Sequence, residues 1–252
     1  MTARCIEKPW GYAGDAVTLD LIYNKEIPDD SLVESIQARR LFAALVEMPV
    51  CRSVDYRRRI IAQTIDAFAA RRVQASNSPI RVLSVACGHA KELEGCASLR
   101  NGHIAQLLAI DQDQSSLDVL SKRFTNLPIT TQQMSVRDIL SARNIFGLLG
   151  KFDFIYSTGL YDYLDQRVAT RLTASLFDCL MPNGELFIAN FHKDNHGSAF
   201  MEAFMDWWLI YRNNDELKAF IEDIDAGDIK GINQFVDPLG NITYLQVARV
   251  DR

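Results

Sequence analysis

The chain of 252 residues contains no G-x-G-x-x-G run and no G-x-x-x-x-G-K-[ST] run. Both signatures place glycines where backbone must approach phosphate closely, so their absence disfavours NAD and ATP as ligands. No apolar run reaches about 18 residues, so no membrane partner is expected. Met1 to Trp10 also lacks the apolar core of a secretory leader. The five cysteines (Cys5, Cys51, Cys87, Cys96, Cys179) are odd in number and form no C-x-x-C pair. That pattern favours free thiols in a reducing compartment, and a cytoplasmic location is expected. Positive charge is not in surplus either. Lys and Arg number 27 against 32 Asp and Glu, for a net charge of −5, which argues against nucleic acid as a partner. The basic cluster Arg57 to Arg59 reads as the solvated side of a helix.

What remains is an ordinary globular composition, 48% hydrophobic and 23% charged, with length enough for a substantial core. Two regimes follow one another. Residues 31–74 are helical in pattern: Ser31 and Glu34 stand at capping-box spacing, and a first helix stops before Pro49. A second helix is expected from near Ser53, carrying Ile60, Ile61, Ile65 and Phe68. Gln74 to Pro79 is a linker of turn formers. We therefore divide the chain into an N-terminal helical lid segment, 1–76, packed over one rim, and a main domain, 77–252.

Beyond Pro79 strands and helices alternate. Strands are expected at Arg81–Ala86, Gln106–Asp111, Ile129–Met134, Phe152–Ser157 and Glu185–Phe191, each separated by room for a crossover helix. Such alternation implies an α/β fold with a mostly parallel sheet. Two apolar-alternating runs around Pro238-Leu239-Gly240-Asn241 add an antiparallel hairpin at the C-terminus.

Ligands of open α/β sheets sit beyond the carboxyl ends of the strands, where strand order reverses. The first strand ends in Ala86-Cys87-Gly88-His89-Ala90, a turn with one glycine, and the second ends in Asp111. Asp111 follows Gly88 by 23 positions, close to the spacing at which a carboxylate accepts hydrogen bonds from ribose hydroxyls. One glycine suffices for a ligand that carries adenosine but no phosphate, and S-adenosylmethionine (SAM) is such a ligand.

The ordered segments VLSVACGHAKEL, LLAIDQD, MSVRDIL, FDFIYSTGLYDYL and LMPNGELFIANF resemble class I SAM-dependent methyltransferases. With KPWGYAGDAVTLDLIYN and MDWWLIYRNNDEL, the chain resembles the bacterial family that includes 3-hydroxypalmitate methyl ester synthases. The resemblance implies a doubly wound seven-stranded sheet of Rossmann-like type. It implies that Ala86, Cys87 and Gly88 meet the methionine part, and Asp111 and Gln112 the ribose and adenine edge. Val136 and Arg137 would lie beside the adenine, with Ser157, Thr158 and Gly159 beneath the sulfonium. Tyr12 and Tyr23 would come from the lid.

Methyl transfer is an in-line displacement that needs positioning and exclusion of water, and a base only where the acceptor must lose a proton. Tyr161, after the fourth strand, is a candidate to face the methyl group. His192 is a candidate base or substrate contact; its H-x-x-x-H spacing with His196 lacks the glutamate of a zinc motif, so no metal is expected. Trp207 and Tyr211 are candidates to border a substrate pocket. The expected partner is a small molecule, and the expected reaction is O-methylation of a carboxylate or hydroxyl in secondary metabolism or signal synthesis. Two alternatives stand beside it. One is a SAM-consuming cyclase of the same fold, of the azetidine-2-carboxylate synthase type, releasing methylthioadenosine. The other is a non-catalytic SAM-binding protein. Oligomeric state leaves no mark in the sequence.

Overall fold

The computed structural model describes residues 1–27 and 35–252. Helices α1 (Thr2–Glu7), α2 (Ala16–Asn24), α3 (Ile36–Val46) and α4 (Pro49–Ser76) precede the first strand. The strands are β1 (Ile80–Val85), β2 (Ile104–Asp111), β3 (Ile129–Gln133), β4 (Phe152–Ser157), β5 (Leu180–Phe191), β6 (Ile229–Val236) and β7 (Ile242–Arg249). Between them come α5 (Ala97–Arg100), α6 (Gln114–Arg123), α7 (Val136–Ser141), α8 (Ile145–Leu149), α9 (Gln166–Asp178), α10 (Ser198–Met205) and α11 (Asn214–Lys218). Among the described residues the strands form one seven-stranded sheet, ordered β3-β2-β1-β4-β5-β7-β6. The β3-β2-β1-β4-β5 pairs are parallel, and β7 is antiparallel to both of its neighbours. The mostly parallel sheet and its C-terminal hairpin agree with the sequence reading.

Side-chain alternation along each strand divides the apolar residues between two faces. Val82, Leu107, Ala109, Phe154, Phe187 and Tyr244 pack on one face with Ile61, Ile65 and Phe68 of α4. Leu83, Leu108, Ile110, Ile155, Leu186 and Val247 pack on the other with Leu172 and Leu176 of α9. Strand order reverses between β1 and β4, which opens a crevice at their carboxyl ends.

Several boundaries differ from the sequence reading. Helix α4 starts at Pro49, not near Ser53, because proline suits the first helical position, where no N–H partner is needed. Its Val54, Ile61, Ile65 and Phe68 are buried against the sheet. The Ser31–Glu34 capping box lies outside the described residues, and Ser35 caps α3 by accepting from the Ala38 N–H. The segment after β1 forms a single 3₁₀ turn, Lys91–Gly95, and the short α5 rather than one crossover helix. The Arg57–Arg59 cluster is not wholly solvated. Arg58 and Arg59 pair with Asp55, whereas Arg57 turns inward and is buried.

Candidate functional site

The turn after β1 is wound tightly. Ala86, Gly88 and Ala90 all have left-handed backbone, with φ of 54°, 52° and 46°. A left-handed alanine costs about 1–2 kcal/mol, so the shape is imposed by its surroundings. The Cys87 N–H bonds the Ile110 carbonyl, and the Ala90 N–H bonds the Cys87 carbonyl. Glycine stands at 88 because α2 crosses directly above it. A Cβ there would lie 3.2 Å from that of Ala16.

Asp111, at the end of β2, is welded to this turn. Its Oδ2 accepts from the Gly88 N–H at 2.8 Å and its Oδ1 from the Asp113 N–H at 3.0 Å. Burial pushes its carboxyl above the ordinary value, partly offset by those N–H groups. The two sequence signals, the turn and the acid, are one hydrogen-bonded unit.

A cavity of about 350 Å³ opens over this unit, within the range of small-molecule pockets. Tyr12, Tyr23, Ala86, Cys87, Gly88, Asp111, Gln112, Val136, Thr158 and Gly159 all line it. Val136 is placed there by a capping box in which Ser135 and Asp138 exchange bonds at the start of α7. Tyr12 meets Tyr163 edge-on at 5.6 Å between ring centroids. Burial holds both phenols protonated far above their ordinary range.

Other residues singled out from the sequence lie off the cavity. Ser157 is fully buried beneath the floor and donates to the Val85 carbonyl. Tyr161 points into the opposite core, its hydroxyl 3.0 Å from that of Thr173 and its ring against Phe220. A 3₁₀ turn at Tyr161–Tyr163 aims alternate side chains apart, so Tyr163, not Tyr161, reaches the cavity. His192 sits on a bridge to Arg212 and accepts from the Asp194 N–H. Arg137 and Tyr211 are likewise not lining residues. Trp207 stands behind the wall, donating from Nε1 to the Tyr163 hydroxyl at 2.8 Å.

The sequence reading missed a second set. Asp20, Arg57, Glu92, Tyr156 and Tyr163 line the cavity together with His89. His89 Nδ1 lies 2.9 Å from Asp20 Oδ2, tying α2 to the turn. Glu92 accepts from the Tyr156 hydroxyl at 2.6 Å, and burial raises its carboxyl above the usual range. Arg57 had a legible signal. It continues the inward stripe Val50, Val54, Ile61, Ile65, Phe68 at helical spacing, a cation in a core register.

The cavity thus has two ends. The α7 end is formed by Asp111, Gln112, Met134, Ser135, Val136 and Ile139, and the α4 end by Tyr23, Arg57, Ser84, Glu92 and Tyr156. Between them the walls are Tyr12, Gly14, Leu160, Tyr163 and Leu164.

The seven-stranded, mostly parallel sheet has the Rossmann-like fold of solved methyltransferase structures. A possible exported protein from Bordetella parapertussis superposes at a TM-score of 0.68 and 18% identity, covering 94% of this chain and 79% of that one. The magnesium protoporphyrin IX methyltransferase ChlM from Synechocystis PCC 6803, crystallised with SAM, superposes at 0.53 and 11% identity, over 92% and 95% of the two chains. A SAM-dependent methyltransferase from Mesorhizobium loti matches at 0.51 and 15%, over 68% and 92%. No family model and no curated protein sequence matches the chain. Among the described residues no helix is long and apolar enough to cross a membrane.

Proposed function

We propose that the chain is a SAM-dependent methyltransferase acting on a small molecule, with a carboxylate oxygen as acceptor. The observation that carries the cofactor reading is the Asp111 carboxylate, which fixes the glycine turn and lines the cavity at once. Polar side chains in the cavity wall agree with it. Asp20, Ser84, His89, Glu92 and Gln112 are lining residues, so the cavity suits a polar ligand. SAM, when bound, supplies an electrophilic methyl group.

The protein's contribution is placement and exclusion of water. Asp111 and Gln112 would hold the ribose and adenine edge, Val136 would pack beside the base, and Thr158 and Gly159 would form the floor. Tyr12 and Tyr163 would offer ring faces to a cationic centre. Acceptor chemistry follows from the same residues. Both tyrosines are held protonated, and neither Tyr161 nor His192 reaches the cavity, so none of these four stands ready as a base. An acceptor that arrives already ionised, a carboxylate, needs none. Secondary metabolism or signal synthesis is the setting that such a small esterified product suits.

Incubating the protein with SAM and a panel of carboxylic acids, phenols and amines tests this reading. The expected result is S-adenosylhomocysteine together with a methyl ester. Methylthioadenosine released from SAM alone would indicate cyclisation instead, and no turnover across the panel would favour a binding protein.

A further inference from the structure

Three tyrosines lie in β4 or just after it, and they dispose of their hydroxyl protons differently. Tyr156 donates to Glu92 Oε1 at 2.6 Å. Tyr161 donates to Thr173, because the threonine gives its own proton to the Ala169 carbonyl at 2.8 Å. Tyr163 is on the receiving side. Its hydroxyl takes the Trp207 Nε1–H at 2.8 Å, and an indole N–H can only donate. The Gly14 backbone N–H is directed at the same oxygen. A phenol oxygen that accepts from two donors still has one proton to give. Among the described residues no carbonyl or carboxylate takes it.

Three separate segments fix the place of this donor. Tyr163 belongs to the 3₁₀ turn after β4, its N–H bonded to the Leu160 carbonyl at 3.0 Å. Gly14 precedes α2, and the buried Trp207 follows α10. Tyr163 and Gly14 both line the cavity, and a Cβ on Gly14 would stand 2.6 Å from the hydroxyl, so the hydroxyl lies at the cavity surface. Its neighbours in that wall are Leu160, Leu164 and the ring of Tyr12. Burial keeps the phenol protonated throughout the neutral range. A lone, permanent, neutral donor in an apolar wall suits a ligand group that only accepts.

We propose that Tyr163 is a substrate-contacting residue whose hydroxyl donates to one oxygen of the acceptor carboxylate and leaves the other free to attack. The inference rests on the SAM reading. With adenosine held by Asp111 at the α7 end, the sulfonium, one carbon beyond the ribose ring, falls against the middle wall where Tyr163 stands, and the amino-acid arm extends beyond it. An in-line displacement needs the attacking oxygen, the methyl carbon and the sulfur aligned, and a hydrogen bond to the second oxygen restricts that geometry. The new O–C bond forms as the C–S bond breaks, the electron pair leaves on sulfur, and no proton moves. Tyr163 keeps its own. The contact also sorts acceptors. A carboxylate receives a charge-assisted bond, roughly twice as strong as the neutral bond that an alcohol would receive. An alkylammonium, which can only donate, finds both lone pairs of the phenol taken.

Calorimetry on wild type, Tyr163→Phe and Trp207→Phe tests the contact in two stages. S-adenosylhomocysteine is titrated first. Phenylalanine at 163 keeps the ring, so the three proteins should agree within about twofold, the scatter allowed for sites that do not interact. The loaded proteins are then titrated with benzoate, hexanoate and octanoate, each against the alcohol of the same skeleton. Wild type should prefer the acid in the best-bound pair. Tyr163→Phe should weaken that acid about tenfold to a hundredfold, the range for a hydrogen bond to a charged group. The alcohol should lose less, so the preference collapses. Trp207→Phe breaks the same tyrosine–tryptophan bond from its other side. It should lower the melting temperature as Tyr163→Phe does, yet keep the preference for the acid. Equal loss of preference in the two variants would make the hydroxyl structural and overturn the contact. A preference that survives Tyr163→Phe, or no binding of any of the acids to loaded wild type, would overturn it while leaving the cofactor site intact. Failure of the wild type to bind S-adenosylhomocysteine would remove the SAM reading and this contact with it.

Discussion

The two ends of the cavity are built by different means. At the α7 end every lining group sits on a strand-end turn or the first turn of α7, within a few residues of the sheet that positions it. Asp111 is buried, bonded to Gly88 and Asp113, and fixed by β2. At the α4 end the charged groups come from separate elements: Asp20 and Tyr23 from α2, Arg57 from α4, Glu92 from a 3₁₀ turn. Their geometry depends on helices docking correctly over the rim. The first end is therefore robust and local, and the second is assembled by tertiary packing.

That contrast can be broken most forcefully at Gly14, where the chain enters α2. A Cβ at this position would lie 2.2 Å from Trp207 Cζ2 and 2.6 Å from the Tyr163 hydroxyl. Gly14→Ala should cost about 1–3 kcal/mol by overpacking and displace α2. The loss of S-adenosylhomocysteine affinity should exceed the loss for methylthioadenosine, as titration would read. Equal loss for both ligands would mean that α2 governs the whole cavity rather than one end.

Gly88→Ala strikes where the ends meet. The left-handed φ costs about 1–2 kcal/mol for a residue with a Cβ, and the new methyl would press on Ala16. Chemical denaturation should show a loss of that size, with both ligands weakened together. An unchanged midpoint would show that α2 gives way freely.

The next effect is electrostatic. Burial pushes the Asp162 carboxyl up to about 6 against the pull of the Phe191 N–H, Arg57 and Arg212. With its pKa raised, the native state keeps a proton that the unfolded chain has released between about pH 4 and 6. The stability this proton confers is complete below that window and disappears as pH rises through it. Melting temperatures of wild type minus Asp162→Asn should fall across this window and level off above it. A flat difference would mean that Asp162 is ionised throughout.

The smallest effect is expected away from both ends. Tyr161→Phe removes one hydroxyl bonded to Thr173 in the opposite core, worth about 1 kcal/mol. Ligand affinity should not change; a loss of affinity would return Tyr161 to the site.

How much of this was legible follows the same division. Gly88, Asp111 and Val136 lie at strand ends, and strand ends announce themselves by apolar runs that stop at turn formers. The sheet was readable for that reason, apart from β5, which begins at Leu180 because that residue still pairs with Phe152. Arg57 was misread because three adjacent arginines look solvated until their helical phase is compared with Val54 and Ile61. Tyr161 was chosen over Tyr163 because both follow the same turn; only the 3₁₀ geometry decides which one faces the cavity. Glu92 lies four residues past Gly88 in a stretch read as an ordinary crossover helix, and its burial depends on Tyr156 from another strand.

The central claim is that Asp111 and the turn it fixes hold the adenosine of a sulfonium cofactor. Titrating S-adenosylhomocysteine into wild-type protein and Asp111→Asn tests it most directly, since asparagine keeps the size but loses the charge and one of the two backbone N–H bonds. One ligand should bind per wild-type chain, and the variant should bind at least about tenfold more weakly. Equal affinity in the two proteins, or no binding to the wild type, would contradict the account.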